Sequence, residues 1–295
     1  RGMSSAASDV YKRQQKRFPF VEIIHHPITF DFKFELASTK KIKYKISRYL
    51  WYSFLIMQKK VAPKLETIVT PSKSSKNGIV AEFNCKSSNI TVINNGLDYE
   101  EFAPISNIER NKNRLITTAS ADVALKGLDF SLKALKLLKK NNPKIHLIII
   151  GAPKKNGHTE KLIKKLNIED NVIFKKNISK EKIKELYSTS SIAIVSSLYE
   201  GFGYPVIEAM SCEVPLIATN ISSIPELVRS YGILIDPKDE KKLSFNIEKV
   251  LNNYDDYKDN AIKGRRHVIE TFNWSKITAE YEKILYKTIE KFKKC

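Results

Sequence analysis

Residues 199–219 read YEGFGYPVIEAMSCEVPLIAT, an apolar, glycine-bearing run from which Glu200 and Glu208 stand apart. On either side, 191–196 (SIAIVS) and 216–219 (LIAT) are short β-branched runs that read as strands buried on both faces. Between them lie a loop and one helix. Gly201 and Gly203 allow backbone angles and close approaches that a Cβ forbids, and Pro205 has the fixed φ suited to a first helical position. The helix is therefore expected to start near Pro205, with Glu200 on the loop past a strand's carboxyl end and Glu208 in the first helical turn. The unpaired N–H groups of that turn, aided by the helix dipole, form a natural phosphate site in the crevice where open α/β sheets bind ligands. Taken singly, each glutamate has an ordinary structural explanation, since acids favour a first turn and often cap a loop before glycine.

A chain of 295 residues with 42% hydrophobic content can bury one large core or two moderate ones. Its apolar stretches fall short of the roughly 18 residues a membrane-spanning helix needs. Cys85, Cys212 and Cys295 are odd in number and lack histidine neighbours, so neither a disulfide framework nor a zinc site is signalled, and a reducing cytoplasm is the expected setting. The formal charge of +19 invites a nucleic-acid reading. Against it, the lysines are scattered over almost every expected helix and no nucleic-acid motif is present, so no nucleic-acid partner is expected. The charge is compatible with anionic headgroups or nucleotide-sugar substrates.

Residues 1–15 show no periodicity and read as a non-native leader. Residues 18–24 (FPFVEII) read as a strand ended by His25, His26 and Pro27. Across 40–64, Ile42, Ile46, Leu50, Phe54, Met57 and Val61 recur at three- and four-residue steps, predicting one helix. Its basic and aromatic start suits either an ordinary core-facing helix with a solvated basic face or one resting on an anionic membrane. Short strands are expected at 67–70 and 90–93, and the polar stretch 104–113 (PISNIERNKN) reads as an interdomain linker. Beyond it strands and helices alternate: strands at 115–119, 145–150, 172–174 and 232–235, helices at 128–140, 159–166, 179–187 and 225–229, then closing helices. Repeated βα units imply a parallel sheet with right-handed crossovers.

The carboxylate pair bracketing EGFGYP resembles the E-x7-E signature of glycosyltransferase family 4, the retaining group 1 enzymes with a GT-B fold. The resemblance spans about 18–292 and is densest over 196–227, with TVINNGLDYEEFAP (91–104), LIIIGAP (147–153) and RRHVIETFNWSKITAEYEKIL (265–285) also similar to family segments. It implies an α/β chain of two Rossmann-like domains, the first incomplete. A partial acceptor-side domain would occupy 16–108, a nucleotide-sugar-binding domain 109–265, and a helix packing back on the first domain 266–295. The chain contains no glycine between Gly2 and Gly78, so the opening glycine-rich loop of the first domain is expected to be missing.

The resemblance also implies roles. Glu208 would accept hydrogen bonds from the donor ribose, and Glu200 would face the donor sugar. The backbone around Gly201, Phe202, Gly203 and Tyr204, with Gly151 after a middle strand, would meet the sugar or phosphates. Lys126 would place a point charge on the diphosphate. Of the two histidines His25 is favoured to face sugar and acceptor, although HHP also suits a strand end. Where the family carries a second cation, an arginine five residues before the lysine, this chain has Ala121. No Asp-x-Asp is present, so transfer without a metal or other cofactor is expected, from a UDP- or GDP-sugar to a sugar or lipid-linked acceptor in cell-envelope or glycolipid synthesis, at the cytoplasmic membrane face or free in the cytoplasm. Two alternatives stay open: a nucleotide-sugar epimerase of the same fold, and a non-catalytic basic binding module.

Overall fold

The structure, a computed structural model, describes residues 17–38, 40–119 and 121–294; the expected leader and Cys295 lie outside them. The chain forms two compact units, one running to Gly96 and resuming at Trp274, the other spanning Leu97–Asn273. In the first, β1 (Glu22–Ile23), β2 (Ile68–Thr70) and β3 (Ile90–Val92) form a parallel sheet in that order, with α1 (Thr29–Ala37), α2 (Ile42–Trp51), α3 (Leu55–Val61) and α4 (Lys73–Phe83) between them. The strand expected over 18–24 is reduced to two residues. Helix α1 escapes a pattern search because FDFKFEL alternates with the period of a strand. The helix expected over 40–64 breaks at a 3-10 turn, Tyr52–Phe54, where Tyr52 turns inward to donate to Glu35 at 3.0 Å. Helix α4 starts at Ser72, whose hydroxyl accepts the Ser75 N–H.

In the second unit the alternation is regular: β4 (Asn111–Thr118), α5 (Leu128–Lys139), β5 (His146–Ile150), α6 (His158–Leu166), β6 (Val172–Lys175), α7 (Lys180–Thr189), β7 (Ser190–Val195), α8 (Tyr204–Ser211), β8 (Leu216–Thr219), α9 (Ile224–Val228), β9 (Ile233–Ile235), α10 (Glu240–Asn252) and α11 (Tyr254–Thr271). All neighbouring strands run parallel, in the order β6-β5-β4-β7-β8-β9. The chain builds outward from β4 through β5 and β6, then returns to the other side of β4 with β7. Strand order thus reverses between β4 and β7, which opens a crevice at their carboxyl ends. Every residue of β7 and β8 is buried, as the continuous apolar runs required.

Helix α12 (Trp274–Lys293) belongs to the first unit, where Ile277 packs with Val69 and Ile93. Both units are therefore α/β with parallel sheets, as the resemblance implies. Among the described residues no helix is long and apolar enough to cross a membrane.

The stretch read as a linker is tied to the second unit, whose boundary falls at Gly96 and not at 108. Phe102 is buried in its core. The Arg110 guanidinium donates to the carbonyls of Tyr187, Ser190 and Cys212 at 2.9 Å and of Glu213 at 3.0 Å, covering the carboxyl ends of α7 and α8. A cation there satisfies orphan carbonyls and favours both helix dipoles. Arg110 is therefore polar for its hydrogen bonds to the second unit, while Ser106, Asn107, Glu109, Asn111 and Lys112 around it are exposed. Arg110→Ala is expected to destabilise the second unit by about 3 kcal/mol, because several partly buried carbonyls lose a charged donor together; chemical denaturation would measure it.

Candidate functional site

The reversal of strand order brings the loops after β4 and β7 together, and the local sequence locks them. Gly127 has φ +61, and a Cβ there would lie 1.9 Å from the Ser196 carbonyl oxygen, so only glycine fits. Leu198 N–H donates to the Leu125 carbonyl at 2.7 Å, and the Ser196 hydroxyl donates to the Gly127 carbonyl at 3.0 Å. This stitching sets Lys126 Nζ 2.7 Å from Glu200 Oε1. The same oxygen accepts the Ser197 hydroxyl at 2.7 Å. The Glu200 backbone is held as well, its N–H donating to Ser222 Oγ at 2.9 Å and its carbonyl accepting from Ser223 Oγ at 2.8 Å. Glu200 is 9% exposed, whereas the Lys126 side chain keeps 29% of its surface. Among the described residues Oε2 of Glu200 has no partner, leaving a fixed acceptor with a cation beside it.

Glu208 sits differently from the expectation. Helix α8 begins at Tyr204, with Pro205 at its second position, because Gly203 adopts φ +116 and turns the chain into the helix one residue early. Glu208 consequently lies in the second turn, and the first turn holds no acid. Its Oε2 accepts the Tyr187 hydroxyl at 3.2 Å, and that hydroxyl lies 2.8 Å from Thr118 Oγ1. Burial pushes the Glu208 carboxyl from 4.5 up to about 7, against the lowering effect of the Tyr187 bond. Burial also raises the Tyr187 phenol well above its ordinary value, reinforced by the adjacent carboxylate. Tyr187 therefore keeps its phenolic proton, with Glu208 Oε2 within reach as its acceptor.

The Phe202 ring is buried edge-on against Tyr204 and Phe272, while Tyr204 is exposed at the helix start. Gly201 lies on the same turn. Gly151 ends β5 with φ +149, and a Cβ there would lie 2.5 Å from the Ala119 carbonyl. Ala121 is buried, and its neighbour Asp122 accepts the N–H groups of Lys154 at 2.7 Å and Thr159 at 2.8 Å. Burial opposes ionisation of Asp122, but those bonds hold its carboxyl below the usual range. The loop bearing Lys154 and Lys155 is thereby tied beside Ala121.

The second unit thus gathers Lys126 and Glu200 into one contact, with Glu208, Gly151 and the 201–204 turn on loops or helices at the same strand ends. His25 belongs to the first unit, exposed after β1, and His26 is engaged by Asp31 at 2.9 Å. Sequence reasoning missed Tyr187, Thr118, Ser197, Ser222, Ser223 and Asp122. Nothing in the local pattern of these serines, or of Tyr187 at the end of its expected helix, signals the contacts, and only the fold shows what each touches. Among the described residues no cluster of three His, Cys, Asp or Glu could hold a metal ion. A surface depression lined by Lys144, His146, Asp170 and Asn171 lies at the amino ends of β5 and β6, the opposite edge of the sheet, and none of the residues above lines it.

Residues 98–267 match the family described as glycosyl transferases group 1. An MMP alpha-(1->4)-mannosyltransferase of Mycolicibacterium hassiacum is 33% identical over 281 residues, 94% of this chain and 67% of that protein. The chain spans 58% or less of the next three curated relatives it matches. Among solved structures, sucrose-phosphate synthase from Thermosynechococcus elongatus shares the fold with TM-score 0.76 at 20% identity, covering 95% of this chain and 71% of that one. Anabaena Alr3699/HepE, solved in complex with UDP and glucose, does so with TM-score 0.75 at 18% identity, covering 96% and 76%.

Proposed function

We propose, on the premise that this chain belongs to the group 1 glycosyl transferases, that it moves a sugar from a nucleotide-diphosphate sugar to an acceptor with retained anomeric configuration. The observation that carries this reading is the Lys126–Glu200 contact at the point where strand order reverses, 2.7 Å long and held by the loops around it. In this reading Glu208 accepts the ribose hydroxyls of the donor, and the free oxygen of Glu200 takes the hydroxyls of its sugar. Lys126 keeps one N–H on Glu200 and offers the others to the diphosphate, stabilising negative charge as the nucleotide leaves. The N–H groups at the start of α8 add to that charge stabilisation. The cation absent at Ala121 has a substitute at hand in Lys154 or Lys155, on the loop that Asp122 holds. Enzyme groups then take the place of a divalent cation, and the leaving phosphate, on the same face as the incoming acceptor hydroxyl, receives its proton. His25 is assigned to the acceptor side. The named activities of the M. hassiacum relative and of an O-antigen chain mannosyltransferase of Escherichia coli favour a mannosyl donor and an acceptor in polysaccharide or glycolipid assembly.

Incubation with mannosyl and glucosyl nucleotides plus candidate acceptors, with a chelator present and products followed by NMR, tests the reading. Transfer with the anomer retained is expected. Epimerised donor without acceptor, inverted product, or activity that vanishes with the chelator would each contradict it.

The buried Glu208 carboxyl adds a pH dependence. Its folded-state pKa is raised, so the folded chain binds the proton more tightly than the unfolded one between about 4.5 and about 7. Stability of the unliganded unit is therefore expected to fall as pH rises through that window. Nucleotide affinity should run the other way, weakening up to about tenfold per pH unit below 7, because only the carboxylate accepts two O–H donors. Calorimetric titration across this range, with Glu208→Gln expected to flatten the profile, checks the sign.

A further inference from the structure

We infer that the outward apolar stripe of α2 is a docking surface for an anionic lipid membrane, independent of the transferase reading. Helix α2 contains no buried residue. Four-residue steps place Ile42, Ile46 and Leu50 on one face, and they are 74%, 55% and 72% exposed. Ile56, at the start of α3, adds a further apolar side chain at 64%. The core-facing reading of this helix fails here, because its packing falls on the other side. There Arg48 bonds Glu35, while Tyr49, three residues after Ile46 and so on the stripe's edge, meets Phe32 edge-on with ring centroids 5.1 Å apart. Among the described residues nothing covers the stripe, which stays mostly open to solvent.

Charge decides what covers it. Residues 40–64 carry eight lysines and arginines and no aspartate or glutamate. On α2 itself Lys43 and Lys45 flank the stripe, where long side chains can keep their ammonium groups at headgroup level while the isoleucines enter the acyl boundary. The acids of neighbouring helices are already paired, Glu35 with Arg48 of α2 itself, Asp31 with His26 and Glu82 with Lys33, which leaves Lys43 and Lys45 without one of these acids. A second protein surface would have to supply acids for these cations or desolvate them unpaired. Anionic headgroups supply the counter-charge in a single plane, and Tyr49, on the stripe's edge and 60% exposed, suits that interface.

The overall charge of +19 would give any such chain some attraction to anionic vesicles, so the test must separate the stripe from bulk charge. Flotation would use vesicles of phosphatidylcholine with and without phosphatidylglycerol. It would compare the parent, Ile46→Asp/Leu50→Asp, and Phe245→Asp/Leu285→Asp, which adds the same charge at exposed apolar positions elsewhere. The parent is expected to bind only vesicles containing phosphatidylglycerol. The stripe variant should bind at least about tenfold less, and the control variant within about twofold of the parent. All three should melt alike, since the substituted side chains are solvent-exposed. Equal binding by both variants, equal binding to pure phosphatidylcholine, or a parent that self-associates through this stripe would overturn the proposal.

Discussion

Lys126→Met is expected to lower the rate of sugar transfer by about 10²–10³-fold, the loss typical when a preorganised donor to developing negative charge is removed. The substitution keeps the aliphatic stem and deletes the ammonium that lies 2.7 Å from Glu200. It also leaves a largely buried carboxylate with the Ser197 hydroxyl as its one remaining side-chain donor among the described residues, so some stability should be lost as well. The two effects separate in Lys126→Met/Glu200→Gln, where the uncompensated charge is gone. Melting temperature should recover toward the parent value while turnover stays low. A double variant that regains turnover would reduce Lys126 to a structural counter-ion.

Gly127→Ala should have the largest effect on the fold. The residue sits at φ +61, and the added Cβ would lie 1.9 Å from a backbone oxygen that has no rotamer through which to escape. The loops after β4 and β7 must separate, loosening the Leu198-to-Leu125 and Ser196-to-Gly127 hydrogen bonds. Left-handed strain and the clash together should cost about 3 kcal/mol or more, lowering the melting temperature by roughly 6–12 °C for a unit of this size. A melting curve within about 1 °C of the parent would show that the loops yield freely, and the rigid pairing of Lys126 with Glu200 would lose its basis.

Much of the second unit was legible because its signals agree. Residues 145–150 and 191–196 are apolar runs too short for buried helices, Ser179 marks a helix start that the structure keeps, and Gly203-Tyr204-Pro205 announces the next. The first unit was less so. The alternating phenylalanines of α1 carry the wrong period, and the break after Trp51 is made by a tertiary bond from Tyr52 to Glu35 that periodicity cannot express. At the site, Glu200, Glu208 and Lys126 could be named from local pattern and resemblance. Their supports could not. Tyr187 lies 21 positions before Glu208 and Thr118 a further 69 before it, and only the parallel sheet makes the three neighbours. Glu208 was placed one turn too early because glycine at a helix cap can admit a residue ahead of proline. Arg110 was read as linker polarity, since four carbonyls converging on one guanidinium leave no mark in the sequence around it.

The central claim is that Glu208, buried beside Tyr187, grips the nucleotide of a donor whose diphosphate meets Lys126. Calorimetric titration of UDP, GDP and ADP into the parent and into Glu208→Ala, at moderate salt with chelator present, tests it before any acceptor is known. The account predicts that one nucleotide binds the parent and that the variant, folded by its melting curve, binds it about 10–100-fold more weakly, the range for hydrogen bonds to a charged group. Failure of all three nucleotides to bind the parent, or equal affinity in the variant, would contradict it.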